Sequence, residues 1–145
     1  MTEFPDRPRL ELLEPGWYEL LEDYRWTDGE RRVTVRAGFQ CDLASVPKLF
    51  HSIIGRKDLG VGPPLIHDAF YYCRGETIAS DFVEYEIDRN NHWYEANISR
   101  READLIFYEM MRQKGFWRIK ARPAYYAVRA FGYFAWRATR EGNNR

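Results

Sequence analysis

Alternation of apolar and polar residues marks two parts of the chain as β-hairpins. A run of apolar and aromatic residues over 17–26 and a strictly alternating run over 32–36 flank the dipeptide Asp28-Gly29. Because glycine tolerates the positive φ of a tight turn, Asp-Gly between two such runs predicts a hairpin. A second alternating run begins after residue 81, turns at Asn90-Asn91 and predicts another hairpin over residues 81–98.

Four other segments have apolar residues at helical spacing, and each has recognisable start or stop signals. The predicted helices run from Ser45, with Pro47 in the first turn, to Gly55; from Pro63 and Pro64 to Gly75; from Ser99 to Gly115; and from about Pro123 to Thr139. The third opens with Ser99-Arg100-Arg101-Glu102, the pattern of a capping box. Two hairpins and about four helices predict an α+β fold.

The chain has the size and composition of a single domain. Its 145 residues are 45% hydrophobic and 17% aromatic, enough to bury a core and to exclude general disorder. We therefore expect one domain over 1–145. Residues 1–15, which contain prolines and charges, predict an extended lead-in, and 140–145 a flexible tail.

Charge is balanced overall but uneven along the chain. The 22 basic and 22 acidic residues cancel, which gives no general attraction to nucleic acid, and we expect none to be a partner. From Arg112 onward, however, nine Lys and Arg residues stand against the single Glu141. The simplest interpretation is a basic last helix packed on an acidic body; contact with a phosphate or an acidic partner is the alternative. The aromatics of that helix are spread around it, which favours burial on several sides over contact with a membrane or a partner's groove.

Cysteine content and hydropathy indicate a location. Cys41 and Cys73 are too few for a disulfide scaffold, which favours free thiols in a reducing compartment. The N-terminus lacks the apolar stretch of a signal peptide, and no run reaches the roughly 18 apolar residues that span a bilayer. We therefore expect a cytoplasmic protein without a transmembrane segment.

Four polar residues predict a site. His67 and Asp68 lie in the first turns of a largely apolar helix, Asp104 lies in the first turns of another, and Asp42 precedes the Ser45 cap. Positive helix ends stabilise ionised carboxylates. If these side chains converge, His67, Asp68 and Asp104 have the mixed nitrogen and oxygen ligands that suit one divalent metal ion. An aspartate left over could then act as a general base on bound water.

Each of these residues also has a structural alternative. Asp42 can cap the turn that follows it, and His67 can bridge a backbone carbonyl and a tyrosine. Asp68 and Asp104 can each pair with an arginine, the candidates being Arg100, Arg101 and Arg129. Ion-pair networks and active sites leave the same pattern in a sequence.

Several blocks of the sequence resemble one family. The segment 38–47, GFQCDLASVP, is similar to the GF-x-TDLASVP segment of the domain-of-unknown-function family 1353 (DUF1353). Three further segments of this chain resemble the family's other blocks and follow in the same order. They are 65–68 with Tyr71 or Tyr72, 99–100 with 103–104 and Phe107, and 126–129 with Gly132. Together the blocks extend over about two-thirds of the chain.

The resemblance implies a small protein of tailed phages, prophages and bacteria, and it supplies no activity. It places Asp42, Ser45, His67, Asp68 and Asp104 inside the motif blocks. The chain departs from the family at two points. A cysteine stands at position 41 where threonine is usual, and the hairpin 81–98 is a longer insertion than the usual connection.

Two functional hypotheses follow. In the first, the protein is a metal-assisted hydrolase, with Asp42, His67, Asp68 and Asp104 as catalytic and metal-binding groups. Substrate contacts would come from Ser45, Tyr71, Arg100 and Arg101. In the second, it is a non-enzymatic phage assembly or host-interaction protein, in which the cluster is structural and the partner is a phage or host protein. Either would act in the host cytosol or with the virion.

Overall fold

The computed structural model describes residues 4–5, 7–42, 62–113 and 118–138. Seven strands lie in these residues: β1 Leu10–Glu14, β2 Trp17–Leu20, β3 Tyr24–Thr27, β4 Arg31–Val35, β5 Gln40–Cys41, β6 Val83–Arg89 and β7 His92–Glu95. The helices described are α1 Gly62–Tyr72, α2 Arg100–Gln113 and α3 Arg118–Ala138, with a 3-10 turn at Thr77–Ala79. The α+β prediction is confirmed. The predicted helix 45–55 lies outside the described residues.

The larger sheet contains the predicted hairpin over 81–98 and the turn of the first one, whose first arm is shorter than predicted because Trp17–Leu20 belongs to the smaller sheet. Its order is β3-β4-β6-β7, and all neighbouring strands are antiparallel. The second hairpin turns at Asn90 and Asn91, whose φ values of 54° and 66° are those of a tight primed turn. One face is apolar and buried, whereas the other carries ion pairs such as Arg32 with Glu86, at 2.7 Å.

The smaller sheet uses residues that the sequence pattern assigned to the lead-in. Its order is β1-β2-β5, and the β1–β2 turn contains Gly16 at φ 79°. β1 is an edge strand of this sheet, in a register that pairs Leu10 with Leu20. The last residues of the predicted lead-in, Leu10–Glu14, are therefore hydrogen-bonded into a sheet.

Each of the three helices packs against the next one along the chain. α1 is buried on nearly all sides and contacts α2 as well as β4 and β5, while α2 packs against α3. Ser99 caps α2, because its hydroxyl accepts a hydrogen bond of 3.1 Å from the Glu102 amide. Where α2 meets α3, Ala121 and Ala124 are buried beside Phe107, and these small side chains let the two helices approach closely.

Two expectations for the last helix were wrong. α3 begins at Arg118, before Pro123, so proline does not mark its first turn; it removes a single main-chain hydrogen bond instead. The aromatics of α3 are also not all buried, because among the described residues the helix packs against α2 and α1 only through part of its surface. Those left exposed are Tyr126, Phe131, Tyr133 and Phe134. Within the described residues, no helix is long and apolar enough to cross a bilayer.

Gly75 permits the close approach of three elements after α1. Its φ is 74°, and its amide donates to the Phe70 carbonyl at 3.0 Å, closing the end of the helix. The amide of Ile98 donates back to the Gly75 carbonyl at 2.9 Å. A Cβ at position 75 would collide with the Ile98 carbonyl oxygen and lie 2.9 Å from Trp136 of α3.

Replacing Gly75 with alanine should therefore destabilise the protein far more than the same change at Gly16. Both glycines have positive φ, which costs an alanine about 1–2 kcal/mol. Gly16 has open space for a Cβ, whereas Gly75 has none. Denaturant unfolding should show that Gly75→Ala lowers the free energy of unfolding by at least about 2 kcal/mol more than Gly16→Ala does. Equal losses would contradict the packing described for Gly75.

Candidate functional site

Asp104 is the centre of the polar cluster. It lies in the first turns of α2, and its side chain is fully buried among the residues of that helix that face the core. An ionised carboxylate without water must be met by hydrogen-bond donors or opposite charges. Its neighbours supply both.

Four side chains surround this carboxylate. Tyr71 donates its hydroxyl to Oδ1 at 2.7 Å, and Nε2 of His67 is 2.6 Å from the same oxygen. On the other oxygen, Arg129 donates from Nη1 to Oδ2 at 2.8 Å, and Nη1 of Arg100 lies 3.5 Å away. We call these five residues the Asp104 hub. It takes two residues from α1, two from α2 and one from α3.

Arg100 ties the hub to the backbone of α3. Its guanidinium donates to the carbonyls of Val128 and Arg129, at 3.2 Å each. Nη1 also lies 3.4 Å from the Tyr71 hydroxyl oxygen. Planar guanidinium groups present several donors in a fixed arrangement, so one side chain can fix the position of two helices.

Aromatic rings and a glycine enclose the hub. The His67 ring lies between Tyr71 and Phe107, with centroid distances of 4.3 and 4.9 Å. Trp136 of α3 packs edge-on against Tyr71 at 5.0 Å. A Cβ on Gly132 would lie only 2.5 Å from the Tyr71 hydroxyl, so the glycine lets α3 approach. His67, Tyr71 and Asp104 are consequently closed off from solvent.

Burial and charge set the protonation states of the hub. Burial acts to raise the pKa of Asp104, but the hydrogen bonds from His67, Tyr71 and Arg129 outweigh it and hold that pKa below its usual value. Burial lowers the pKa of His67, and the hydrogen bond to Asp104 opposes this only in part. At neutral pH the carboxylate is ionised and the imidazole neutral, so His67 donates through its Nε2–H. The pKa of Tyr71 is raised, chiefly by burial, and the phenol stays protonated.

The hub is poorly arranged to hold a metal ion. Both oxygens of Asp104 already accept hydrogen bonds, and Nε2 of His67 is used in one of them. Two guanidinium groups beside the carboxylate also repel an added cation. In the described part of the chain, no group of three or more His, Cys, Asp or Glu side chains is placed to hold a metal.

The other acidic residues predicted for the site are not bonded to Asp104. Asp68 is half-buried on α1 and, as the neighbour of His67, points about 100° around the helix from it. Asp42 is exposed immediately after β5. Neither is among the described hydrogen-bond or ion-pair partners of Asp104.

The residues predicted for substrate contact fall into three groups. Tyr71 and Arg100 belong to the hub, Arg101 is exposed on α2, and Ser45 lies outside the described residues. The prediction that Asp104 pairs with one of three arginines is confirmed for two of them, Arg100 and Arg129.

The contribution of α3 is what sequence reasoning underestimated. Arg129, Gly132 and Trp136 follow one another at intervals of three and four residues, which places them on one side of the helix. All three contact hub residues of α1 or α2. That spacing was the available signal, whereas the prediction for this helix rested on the spread of its aromatics around it.

Most of the sequence matches one known protein family. The family model described as "Protein of unknown function (DUF1353)" matches residues 18–128. The chain belongs to the DUF1353 family. The match includes His67, Tyr71, Arg100 and Asp104. No curated protein and no solved structure matches the chain significantly.

Because the imidazole is held neutral, this DUF1353 protein should lose stability as the pH falls below about 6.5. The unfolded chain takes up a proton at His67 near pH 6.5, whereas the folded chain does so only at lower pH. Protonation of Asp104 lowers the free energy of unfolding only below about pH 4, because the pKa of this carboxyl is held below 3.8 in the folded protein. The slope from His67 can reach about 1.4 kcal/mol per pH unit.

Chemical unfolding of the wild-type protein and of His67→Gln between pH 7 and 5 tests this. Glutamine keeps an N–H donor for Asp104 but does not titrate. The variant should show a flatter pH dependence, since His51 and His92 are common to both proteins. Parallel pH profiles would contradict a neutral, buried His67.

Asp104→Asn should be strongly destabilising. The asparagine amide would point an N–H at groups that are themselves donors, and it would leave the guanidiniums of Arg100 and Arg129 without a carboxylate. We therefore expect the free energy of unfolding to fall by about 3–5 kcal/mol. Glu109→Gln on the same helix is the matched control, because Glu109 has no ion pair with another described residue. That control should change the free energy of unfolding by no more than about 0.5 kcal/mol. A stable Asp104→Asn protein would show that the hub is not needed for folding.

Proposed function

We propose that this chain is a non-enzymatic protein of a phage or prophage, acting in assembly or in contact with a host protein. It would work in the host cytosol or with the virion. In this function the Asp104 hub is a structural lock between three helices. The observation that carries the proposal is that every oxygen of the buried carboxylate is taken by donors from the protein itself.

Accessibility supports the same choice. A catalytic acid, base or metal ligand must reach the substrate or a bound water. His67, Tyr71 and Asp104 are closed off from solvent, and Arg129 and Arg100 cap the second carboxylate oxygen. Opening the hub would separate a buried ion pair, which costs about 3–5 kcal/mol when one partner is lost.

One observation favours the second candidate, a metal-assisted hydrolase. The 2.6 Å contact between His67 and Asp104 has the form by which a carboxylate orients a catalytic or metal-binding histidine. In this function His67, Asp68 and Asp104 would be the ligands of a divalent ion, with Asp42 as ligand or base. Ser45, Tyr71, Arg100 and Arg101 would contact an anionic substrate. The ion would have to displace the arginines from Asp104.

Metal content and folding together separate the two candidates. The protein is purified without chelator and analysed for metals, and His67→Ala and Asp104→Ala are compared with it. The structural function predicts no stoichiometric metal in the wild type and a large loss of stability in both variants. Each variant removes a buried partner, and that loss should not depend on added divalent ions.

The hydrolase predicts the reverse pattern. Metal would be bound in a near one-to-one ratio by the wild type and lost in both alanine variants, and these would stay folded. Glu109→Ala serves as the control on α2, since it should leave both metal content and folding unchanged. Stoichiometric metal with folded alanine variants would overturn the proposed function.

A further inference from the structure

Positive charge is concentrated where the last two helices meet. α3 contains five Lys and Arg residues and no Asp or Glu, and among the described residues its only ion pair is Arg129 with Asp104. Arg100 shares the same carboxylate, so one negative charge faces two guanidiniums and the hub keeps a net positive charge at neutral pH. The expectation that the basic helix is balanced by an acidic body is therefore met at one position only.

α2 and α3 run antiparallel and bring one side of each helix together. Asp104 pairs with Arg129, whereas Tyr108, one turn further along α2, contacts Tyr125, one turn earlier on α3. Residues that follow Tyr108 on α2 therefore lie toward the same end of the helix pair as residues that precede Tyr125 on α3.

Arginines and tyrosines line this side of the helix pair. At about 100° of rotation per residue, those on α2 lie within about 40° of one another around the helix, and those on α3 within about 100°. One arginine lies near the hub, two lie toward the far end, and the tyrosines lie between them. We call this surface the arginine–tyrosine strip; its residues are Arg101, Tyr108 and Arg112 of α2 and Arg122, Tyr125 and Tyr126 of α3.

The tyrosine rings of the strip contact one another in turn. The ring centroids of Tyr108 and Tyr125 are 5.6 Å apart, and those of Tyr125 and Tyr126 are also 5.6 Å apart. Tyr126, at the outer end of this row, is 65% exposed. The guanidinium carbon of Arg112 lies 5.8 Å from the centroid of the Tyr108 ring. The strip therefore presents aromatic surface to solvent beside fixed positive charges.

Acidic side chains of the chain do not neutralise the strip. Its three arginines are exposed, and none has an ion pair with another described residue. Of the acids on α2, Asp104 is occupied inside the hub, and Glu102 and Glu109 point about 100° or more around the helix from Tyr108. A ligand that binds the strip must bring the negative charge itself.

We infer that the arginine–tyrosine strip binds single-stranded nucleic acid. A single strand combines phosphates with unpaired bases, whose flat faces stack on aromatic side chains, and guanidinium groups bind phosphates through several donors. The strip offers both kinds of contact side by side. The balance of charge over the whole chain predicted no nucleic-acid partner, but the local excess of arginine on the helix pair reverses that expectation. Nucleic-acid binding goes beyond the proposed function, which requires only a protein partner.

Other anionic partners fit the strip less well. An acidic peptide supplies negative charge but no flat aromatic groups for the tyrosines. In a duplex the bases are already stacked on one another, so only the phosphates remain for contact. Phe131 lies about 180° around α3 from Arg122, so a lipid surface that took up this exposed phenylalanine would leave the strip unused.

Three arginines predict weak binding that depends on salt. On single strands, each phosphate that is neutralised contributes about 0.7 to the slope of the logarithm of affinity against the logarithm of salt concentration. Three contacts give a slope of about 2. We therefore expect binding that is measurable at low salt and is largely lost at high salt.

Fluorescence anisotropy with a labelled oligothymidine of about 15 nucleotides measures this binding. Arg101→Gln with Arg122→Gln removes two phosphate contacts, so the affinity at low salt should fall at least about tenfold and the salt slope by about 1.4. Arg129 is left unchanged because it pairs with Asp104. Oligouridine of the same length, used in the same assay, distinguishes an RNA ligand from a DNA ligand.

Tyr126→Leu tests stacking separately from charge. Leucine keeps an apolar side chain but has no aromatic face, so the affinity should fall about tenfold while the salt slope stays that of the wild type. A basic surface that attracted anions without stacking would show no such loss.

Arg9→Gln with Arg89→Gln is the matched control. It removes the same charge from two exposed positions outside the helices, so the affinity and the salt slope should stay close to those of the wild type. Circular dichroism should show every variant folded, because all the replaced side chains are exposed.

Three outcomes would overturn the inference. The first is a wild-type protein that does not bind either single strand at low salt, even if it binds vesicles of anionic lipid. The second is an equal loss of affinity in the control and in the Arg101→Gln, Arg122→Gln variant. The third is binding of polyglutamate or of a DNA duplex as tightly as the single strand. None of these outcomes involves the metal content or the stability of the hub variants, so failure here is distinguishable from failure of the proposed function.

Discussion

Burial of one negative charge is the constraint on which the arrangement of the helices depends. The Asp104 carboxylate is removed from water and must be satisfied by protein donors, since an unpaired buried charge is strongly unfavourable. Those donors come from His67 and Tyr71 on α1 and from Arg129 on α3. The three helices can therefore pack fully only in the one relative position that brings all the donors to the same carboxylate.

Local chemistry explains which elements could be predicted from the sequence. The turns at Asp28-Gly29 and Asn90-Asn91 depend on backbone conformations that few residues adopt, and the Ser99 cap depends on a hydrogen bond within four residues. The boundaries and burial of α3 depend on its packing instead. Proline is favoured in a first turn, yet Pro123 lies within the helix, and a helix covered mainly on one side leaves its outward aromatics exposed.

Part of the hub could be predicted from the sequence, whereas its role could not. Polar residues on apolar helix faces identified His67 and Asp104 from the sequence. Whether that carboxylate is a metal ligand or an ion-pair partner depends on which cations other helices bring to it. Arg100 and Arg101 are neighbours in sequence, but about 100° of helical rotation separates them. Only Arg100 points inward to Asp104, and Arg129 arrives from a helix more than twenty residues away in the chain.

The hub holds one side of α3, and several aromatic residues elsewhere on this helix are exposed. Arg129, Gly132 and Trp136 fix the inward side of α3 through contacts with Asp104 and Tyr71. The residues between them in sequence, such as Phe131 and Phe134, are consequently held outward on a helix that has little freedom to rotate. A surface fixed before binding loses less conformational entropy when a partner docks. The charge buried in the hub therefore also holds the exposed aromatic residues of α3 in a defined arrangement.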